Sequence, residues 1–216
     1  KLNLDGVNDY VDLSPHINNF QDLTQGTISA WVKTTTTDGT IFAVSDSGDT
    51  NSSALIYLYE GKLAFSVSEG HRNEYLLDVV TQANINDNAW HHVAVAVGPT
   101  GNRLFIDGVQ ATSLTYYDGN PGRSDFFSNV SRLDTMTIGA NWYDSNLSLV
   151  ADGLLDDVRV YDRALSNSDI DELFNYRDVI PPNQSGIEVT DLTYNENDAA
   201  TQITNTIAIE DPNDTN

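Results

Sequence analysis

The sequence of 216 residues contains no cysteine. Disulfide bonds, zinc–thiolate centres and cysteine nucleophiles are therefore excluded, and any additional stabilisation must come from an extensive sheet or a bound metal. Positive charge is also scarce, because 10 lysines and arginines stand against 32 acidic residues, which gives a formal net charge of −22. Such a surface repels nucleic acid and anionic membranes and attracts cations. We expect no nucleic-acid partner.

Motifs of membrane proteins and of enzymes are absent as well. No apolar run approaches the roughly 20 residues that cross a membrane, and there is no glycine-rich phosphate loop, serine elbow or His-x-x-x-His motif. Retaining glycosidases need two carboxyls about 5 Å apart, and the four glutamates before residue 178 include no closely spaced pair on one strand. His91 and His92 have no acid or nucleophile in evident reach. The sequence predicts neither membrane insertion nor enzymatic activity.

Short runs of alternating apolar and polar residues dominate the first 162 positions. Turn residues such as Glu60-Gly61 and Asp107-Gly108 separate them, and Asp-Gly between apolar runs is a strong hairpin signal. About eleven strands without alternating helices predict an all-β fold, a sandwich of two antiparallel sheets. The predicted strands and hairpins cover residues 2–5, 9–13, 26–34, 40–46, 53–68, 74–80, 90–114, 135–140 and 154–162.

One short C-terminal helix is predicted after the last of these strands. Ser166 is a favourable N-cap, and Asp169 places negative charge in the first turn. Ile170, Leu173 and Phe174 then form an apolar stripe with helical spacing. The stripe predicts that this helix packs on one end of the sandwich.

The residues after this helix are predicted to form a linker and a short β extension. Residues 178–186 contain adjacent prolines and polar residues, which is typical of a linker. Residues 187–216 have a second, short β pattern that cannot bury an adequate core alone. This β extension either pairs with the first domain, residues 1–177, or begins a further domain.

The ordered motifs of the first domain resemble a known family. They are LNLDGVNDYVDL, GTISAWVK, WHHVAVAV followed by GNRLFIDGVQ, TIGA, and GLLDDVRVYDRALSNSDIDELF. Together they resemble laminin-G-like, concanavalin-A-like jelly-roll domains over about residues 1–176. The resemblance implies two curved sheets, one with a concave face. The later stretch DLTYNENDAATQITNTIAIEDPNDT looks like the opening of a cadherin-like repeat of large bacterial adhesins, or is simply an acidic linker.

Asp156 is a candidate ligand for a calcium ion. Strand alternation places it on the same face as Leu154, Val158 and Val160, where a carboxylate needs a counter-charge or hydrogen bonds. The segment DDVRVY resembles the late strand of bacterial β-glucanases of this sandwich class, in which the matching aspartate holds a structural calcium. The resemblance implies Ca²⁺ at Asp156. The expected partners lie in the N-terminal LDGVND segment, at Asp5, Asp9 or their backbone carbonyls.

Three loops carry candidate ligand residues. Residues 45–53 offer oxygen ligands for calcium, although the same residue types also form ordinary turns; they are Asp46, Asp49 and Asn51. The other two loops combine aromatic rings with polar groups that suit sugar binding. Residues 116–127 contribute Tyr116, Tyr117, Asp118 and Arg123, and residues 141–146 contribute Trp142, Tyr143, Asp144 and Asn146. Arg72 could orient an anionic group.

Three functions are compatible with these features. We expect a non-catalytic, calcium-associated lectin-like module of a bacterial surface adhesin that binds glycans or another surface polymer. A structural spacer without a ligand is the second reading, and an accessory module of a secreted polysaccharide-degrading enzyme is the third. The Asn-, Thr- and Asp-rich composition and the absence of Met at position 1 suggest an extracellular, monomeric module tethered in a longer bacterial chain.

Overall fold

The structure, a computed structural model, describes residues 1–70, 74–175, 183–185 and 208–210. The chain divides into two units, residues 1–175 and residues 176–216. The first unit contains two large sheets in which every strand pair is antiparallel. The prediction of an all-β, two-sheet antiparallel sandwich with one short helix is therefore confirmed.

The first sheet has six strands and contains both the first and the last strand of the sandwich. In spatial order it consists of β1 (Leu2–Asp5), β15 (Asp152–Tyr161), β3 (Gly26–Lys33), β8 (His91–Gly98), β9 (Gly101–Ile106) and β10 (Val109–Gln110). Strand β1 pairs with β15, so the beginning of the domain is held against its end.

The second sheet has seven strands. In spatial order it consists of β11 (Leu114–Asp118), β7 (Glu74–Asn84), β6 (Lys62–Glu69), β5 (Ser53–Tyr59), β4 (Gly39–Ser45), β12 (Thr135–Ile138) and β2 (Val11–Asp12). A separate hairpin follows β12 and consists of β13 (Asn141–Tyr143) and β14 (Asn146–Ser148). Among the described residues, 3₁₀ turns lie at Ser14–Asn19 and Phe127–Asn129.

The core lies between the two sheets. Strand alternation sends Val93, Val95 and Val97 of β8 inward, where they meet the inward residues of the other sheet, such as Phe65 and Val67. All five side chains are fully buried. An apolar contact surface of this extent is the main stabilising term of the fold.

Helix α1 (Asn167–Asn175) packs on the outer face of the six-stranded sheet. The Ser166 hydroxyl accepts a hydrogen bond from the amide of Asp169, and the Asp169 carboxylate accepts one from the amide of Ser166. This reciprocal pair caps the helix. Ile170 is fully buried against Ala94 and Ala96 of β8, so the predicted helix and its apolar stripe are confirmed. The helix covers a sheet face, however, and not one end of the sandwich as predicted.

The adjacent histidines of β8 have opposite environments. His92 is buried beside Trp31 at 5.4 Å and Phe174 at 6.3 Å between ring centroids, and burial lowers its pKa to about 4. His91 points the other way and contacts Asp107 and Asp87, at 2.9 and 3.2 Å. These two carboxylates raise the pKa of His91 against the opposing effect of its burial.

The structure corrects the predicted orientation of Asp156. Its side chain is 49% exposed and does not point into the core. The reason is a β-bulge between Asp156 and Arg159, where Asp157 has φ of 49° and one extra residue faces strand β3. The bulge reverses the alternation, so that Leu155 and Val158 contact the core while Asp156 faces outward.

Strands occupy two of the predicted loops. Residues 141–152 contain the β13–β14 hairpin, whose turn residues Asp144 and Ser145 have φ of 47° and 60°. A pair of positive φ angles is typical of a tight hairpin turn, usually made with glycine. The Asp-Ser sequence lacks that signal, which explains the missed hairpin. Strand β11 also extends to Asp118, inside the predicted loop 116–127.

The second unit contains two described strands, β16 (Asn183–Ser185) and β17 (Ala208–Glu210), which pair antiparallel. Most of the predicted linker 178–186 and of the β extension 187–216 lies outside the described residues. The linker, the docking of the extension and the cadherin-like repeat therefore stay predictions. Among the described helices, none is long and apolar enough to cross a membrane.

Candidate functional site

The outer face of the seven-stranded sheet has a row of small side chains at its centre. Strand β6 sends Leu63, Phe65 and Val67 into the core, so its intervening residues face outward. These are Ala64, Ser66 and Ser68. Because no large side chain rises from β6 here, neighbouring elements can border an open groove above it.

The groove has a volume of about 340 Å³. Its floor contains Ser53 of β5 together with Ser66 and Ser68 of β6, so hydroxyl groups line the base. Trp142 and Tyr143 of the β13–β14 hairpin border one side. The groove therefore combines aromatic surface with hydrogen-bonding groups, the mixture that small-ligand sites use.

The hairpin that carries Trp142 is held from two directions. The ring of Tyr10 makes an edge contact with Trp142, with 6.4 Å between centroids. The amide of Asp144 donates to the carbonyl of Asp49 at 3.0 Å, and the amide of Ser145 donates to the carbonyl of Ser47 at 2.7 Å. The predicted loops 45–53 and 141–146 thus form one assembly at the groove.

The other side of the groove is formed by tyrosines that hydrogen-bond to polar partners. The hydroxyl of Tyr75 donates to Asn51 Oδ1 at 3.1 Å, and that of Tyr57 donates to Asp78 Oδ1 at 3.4 Å. Burial raises the pKa of Asp78, and the negative charge of Asp118, its partner across the β7–β11 ladder, adds to this effect. The carboxyl groups of Asp78 and Asp118 therefore lie next to each other beside Tyr57.

Asn141 adds a buried polar group to the wall. Its side chain is 4% exposed and lines the groove at the start of the β13–β14 hairpin. Its Oδ1 has no hydrogen-bond partner among the described residues. A buried acceptor without a partner is costly unless another group satisfies it, and a donor brought by a ligand would do so.

The residues predicted to bind calcium are already engaged in local hydrogen bonds. Asp46 Oδ1 accepts from the amide of Gly48 at 3.1 Å, and Asp49 Oδ2 accepts from the Ser52 hydroxyl at 2.7 Å. Across the described ranges, no three His, Asp or Glu side chains are placed together to hold a metal ion. The calcium prediction remains untested for this loop.

The strand register separates Asp5 from Asp156, and calcium at Asp156 stays a prediction. Asp5 lies opposite Asp152, four residues from Asp156, which corresponds to about 13 Å along the strand. The carboxylate of Asp5 accepts a hydrogen bond from the amide of Val7 at 2.9 Å.

Six of the predicted sugar-binding residues lie on the outer face of the seven-stranded sheet or on the hairpin beside it. Trp142 and Tyr143 line the groove, while Asp144 and Asn146 form the exposed hairpin turn beside it. Asp118 and Tyr117 lie on the same outer face of the sheet, and Tyr117 is 58% exposed.

Two other candidates lie elsewhere. Tyr116 packs against the core, and its hydroxyl donates to Asn102 Oδ1 at 2.8 Å. Arg123 pairs with Asp125 at 2.6 Å, and the side-chain amide of Asn102 also donates to the Arg123 carbonyl. These groups connect strand β9 to the loop after β11. Arg72 lies outside the described residues.

Sequence reasoning missed most of the groove floor and its second wall. Ser53, Ser66, Ser68, Tyr57 and Tyr75 have the pattern of ordinary strand residues. The alternation in residues 53–68 did contain a signal, since the phase opposite the core includes three serines, Ser53, Ser66 and Ser68. No charge or glycine pattern drew attention to it.

Solved structures with a similar fold include several sialidase components. The CBM40 of the Ruminococcus gnavus IT-sialidase, bound to α2,3-sialyllactose, aligns with TM-score 0.68 and 17% identity over 81% of this chain and 95% of that chain. The NanB sialidase of Streptococcus pneumoniae aligns with TM-score 0.66 and 14% identity. The match covers 85% of this chain and 29% of NanB. At these identities the likeness shows the fold.

A pentraxin and a family model extend the comparison. The heptameric SAP-like pentraxin of Limulus polyphemus aligns with TM-score 0.50 and 18% identity over 70% of each chain. Among curated proteins, none matches the sequence. A family model described as the concanavalin A-like lectin/glucanases superfamily, Laminin_G_3, matches residues 5–171. The chain therefore belongs to the concanavalin A-like lectin/glucanase superfamily, as its ordered motifs predicted.

Proposed function

We propose that the first unit is a non-catalytic carbohydrate-binding module whose glycan site is the groove on the seven-stranded sheet. The observation that carries this proposal is the pairing of Trp142 and Tyr143 with a floor of serine hydroxyls. Aromatic rings present flat apolar surface to the C–H face of a sugar, and hydroxyl and amide groups bond its hydroxyls. Asn141 supplies an acceptor that such a ligand would satisfy.

The similar structures support the same class of function. The CBM40 of the Ruminococcus gnavus IT-sialidase holds sialyllactose, and the matched fold covers 95% of that module. Because a module of the same fold holds an oligosaccharide, a glycan is a reasonable partner for this chain. The likeness supports a binding role rather than a catalytic one.

The biological setting has two candidate forms. An accessory module of a glycan-acting enzyme is favoured by NanB, in which the matched fold makes up 29% of a larger sialidase chain. The adhesin module expected from the sequence depends on the cadherin-like resemblance of the C-terminal stretch. In both settings the module is extracellular and tethered to further domains.

A glycan array tests the proposed function directly. We expect the full chain to bind at least one glycan in a panel that contains lactose, 3′- and 6′-sialyllactose, N-acetyllactosamine oligomers and β-glucan oligomers. Trp142→Ala should weaken binding by about tenfold or more, because a central aromatic contact is lost. Val109→Ala, an exposed apolar change on the other sheet, is the matched control.

Two results would contradict the proposal. Binding to none of these glycans would favour the ligand-free spacer. Binding that Trp142→Ala leaves unchanged, in a variant with the wild-type melting temperature, would place the site elsewhere.

A further inference from the structure

The outward residues of strand β5 continue beyond the groove. Ser53, Leu55 and Tyr57 line the groove, and Tyr59 is the next residue of the same row. Successive outward residues are about 7 Å apart along a strand. The row from Ser53 to Tyr59 therefore extends about 20 Å, which is longer than a disaccharide needs.

A second aromatic pair stands at the far end of this row. Tyr59 of β5 and Tyr117 of β11 meet edge to face, with 6.1 Å between ring centroids. They are 36% and 58% exposed, so much of each ring is in contact with solvent. Tyr57, whose hydroxyl bonds to Asp78, lines the groove and is the outward residue next to Tyr59 on β5.

The surroundings of the pair are acidic. Asp118 follows Tyr117 directly and faces Asp78 across the β7–β11 ladder. Glu60 follows Tyr59, and its charge raises the pKa of the Tyr59 hydroxyl. Lys62 is the nearest cation on β6 in the described part of the chain, and it is already paired with Glu60 at 3.7 Å. An anionic sugar would be repelled here, whereas neutral hydroxyls could donate to these carboxylates.

We propose that Tyr59 and Tyr117 form a second glycan subsite, so that the module binds a linear oligosaccharide along β5 with neutral sugars at the Tyr59–Tyr117 end. The inference rests on the proposed function of the groove and deepens it. The groove would hold one end of the chain between Trp142 and Tyr75. The tyrosine pair would stack on a sugar two or more units further along.

The experiment measures affinity against chain length. Isothermal titration uses N-acetyllactosamine and β1,4-glucan ladders from disaccharide to hexasaccharide. It compares the full chain with four tyrosine variants and with Trp142→Ala and Val109→Ala. We expect affinity to rise with length and to level off near four sugars. Tyr59→Ala and Tyr117→Ala should each weaken hexasaccharide binding about fivefold and leave disaccharide binding unchanged.

The conservative variants separate ring stacking from hydrogen bonding. Tyr59→Phe and Tyr117→Phe keep the rings and should retain most of the hexasaccharide affinity. Val109→Ala again controls for a general surface effect. Because both tyrosines are well exposed, all four variants should fold, and matching melting curves check this.

The failure of this inference differs from the failure of the proposed function. One outcome contradicts the second subsite alone. In it, disaccharide and hexasaccharide bind equally and the tyrosine-to-alanine variants do not change affinity, while Trp142→Ala abolishes binding. The groove would then remain the glycan site. If no oligosaccharide of either ladder binds and the wider glycan array also fails, both proposals are overturned. Binding restricted to sialyllactose would overturn the neutral subsite alone.

Discussion

The two outer faces of the sandwich have the same feature, a row of small side chains, with different outcomes. On the six-stranded sheet the row is Ala94 and Ala96, and helix α1 buries it. On the seven-stranded sheet the row includes Ser66 and Ser68, and the β13–β14 hairpin borders it without filling the groove. Methyl groups gain from apolar cover, whereas covered hydroxyls need replacement hydrogen bonds. The alanines therefore suit cover by the apolar stripe of helix α1. The serines suit a polar ligand that can hydrogen-bond to them.

The largest loss of stability should come from a substitution where helix α1 packs on the six-stranded sheet. Ile170→Ala removes a fully buried side chain that contacts Ala94 and Ala96. Such a change costs about 2–5 kcal/mol, which lowers the melting temperature of a domain of this size by roughly 4–20 °C. Calorimetry measures the loss. Glycan binding below the melting transition should persist, and a variant that loses binding while still folded would contradict the independence of the two faces.

A pH titration of stability should distinguish the two histidines. The pKa of buried His92 is lowered to about 4, against about 6.5 in an unfolded chain. The unfolded state therefore takes up a proton between these values while the folded state does not, so His92 reduces stability as pH falls from about 6.5 to about 4. His92→Leu should flatten that part of the profile in chemical denaturation series.

His91 provides the opposite sign as an internal control. Its pKa is raised by Asp107 and Asp87, so it stabilises the fold below about pH 6.5 and this contribution is lost as pH rises through the raised pKa. His91→Gln should flatten the profile on the alkaline side. If His91→Gln and His92→Leu changed the same part of the curve, the assignment of opposite shifts would be wrong.

Filling the groove should affect binding more than stability. Ser68→Leu places a large side chain on the groove floor, where it occupies the space of the sugar and weakens binding about tenfold. Ser68→Ala keeps the space and removes one hydroxyl, so its loss should be several times smaller. Titration with the best array glycan measures both. Equal losses for the two variants would show that the hydroxyl, rather than the open volume, matters.

The smallest effect is expected at Asp156. Because this side chain is 49% exposed, Asp156→Ala should change stability within about 0.5 kcal/mol, as surface substitutions usually do. Melting curves with added calcium and with chelator provide the comparison. A drop of many degrees in chelator, abolished by Asp156→Ala, would restore the structural calcium predicted from the sequence.

Much of the fold could be predicted from the sequence because its signals are local. The alternation in residues 26–34 and 90–97 defined buried strands, and the cap at Ser166 with the Ile170 stripe defined the helix. The hairpin at 141–148 was missed because Asp144 and Ser145 adopt a turn usually marked by glycine. The orientation of Asp156 was wrong because a single bulge shifts alternation, and nothing in the segment LLDDVRV marks its position.

The site was predictable in part. Trp142 and Tyr143 stood out as aromatic residues in a polar stretch, and the structure places both at the groove. Tyr116 has the same local pattern, yet it faces the core because strand β11 extends through it. The choice between these two outcomes depends on where a strand ends, which short sequences specify weakly.

The sequence by itself determined the two-sheet architecture, the helix and the acidic, cysteine-free surface, because periodicity, caps and composition act within a few residues. Only the tertiary structure decided which side chains share a surface. Trp142 lies more than 60 residues after Ser66 and Tyr75, and the three meet because strand β12 pairs beside β4 and places the following hairpin at the groove. Long-range pairing depends on the packing of the whole core, and no local pattern encodes it.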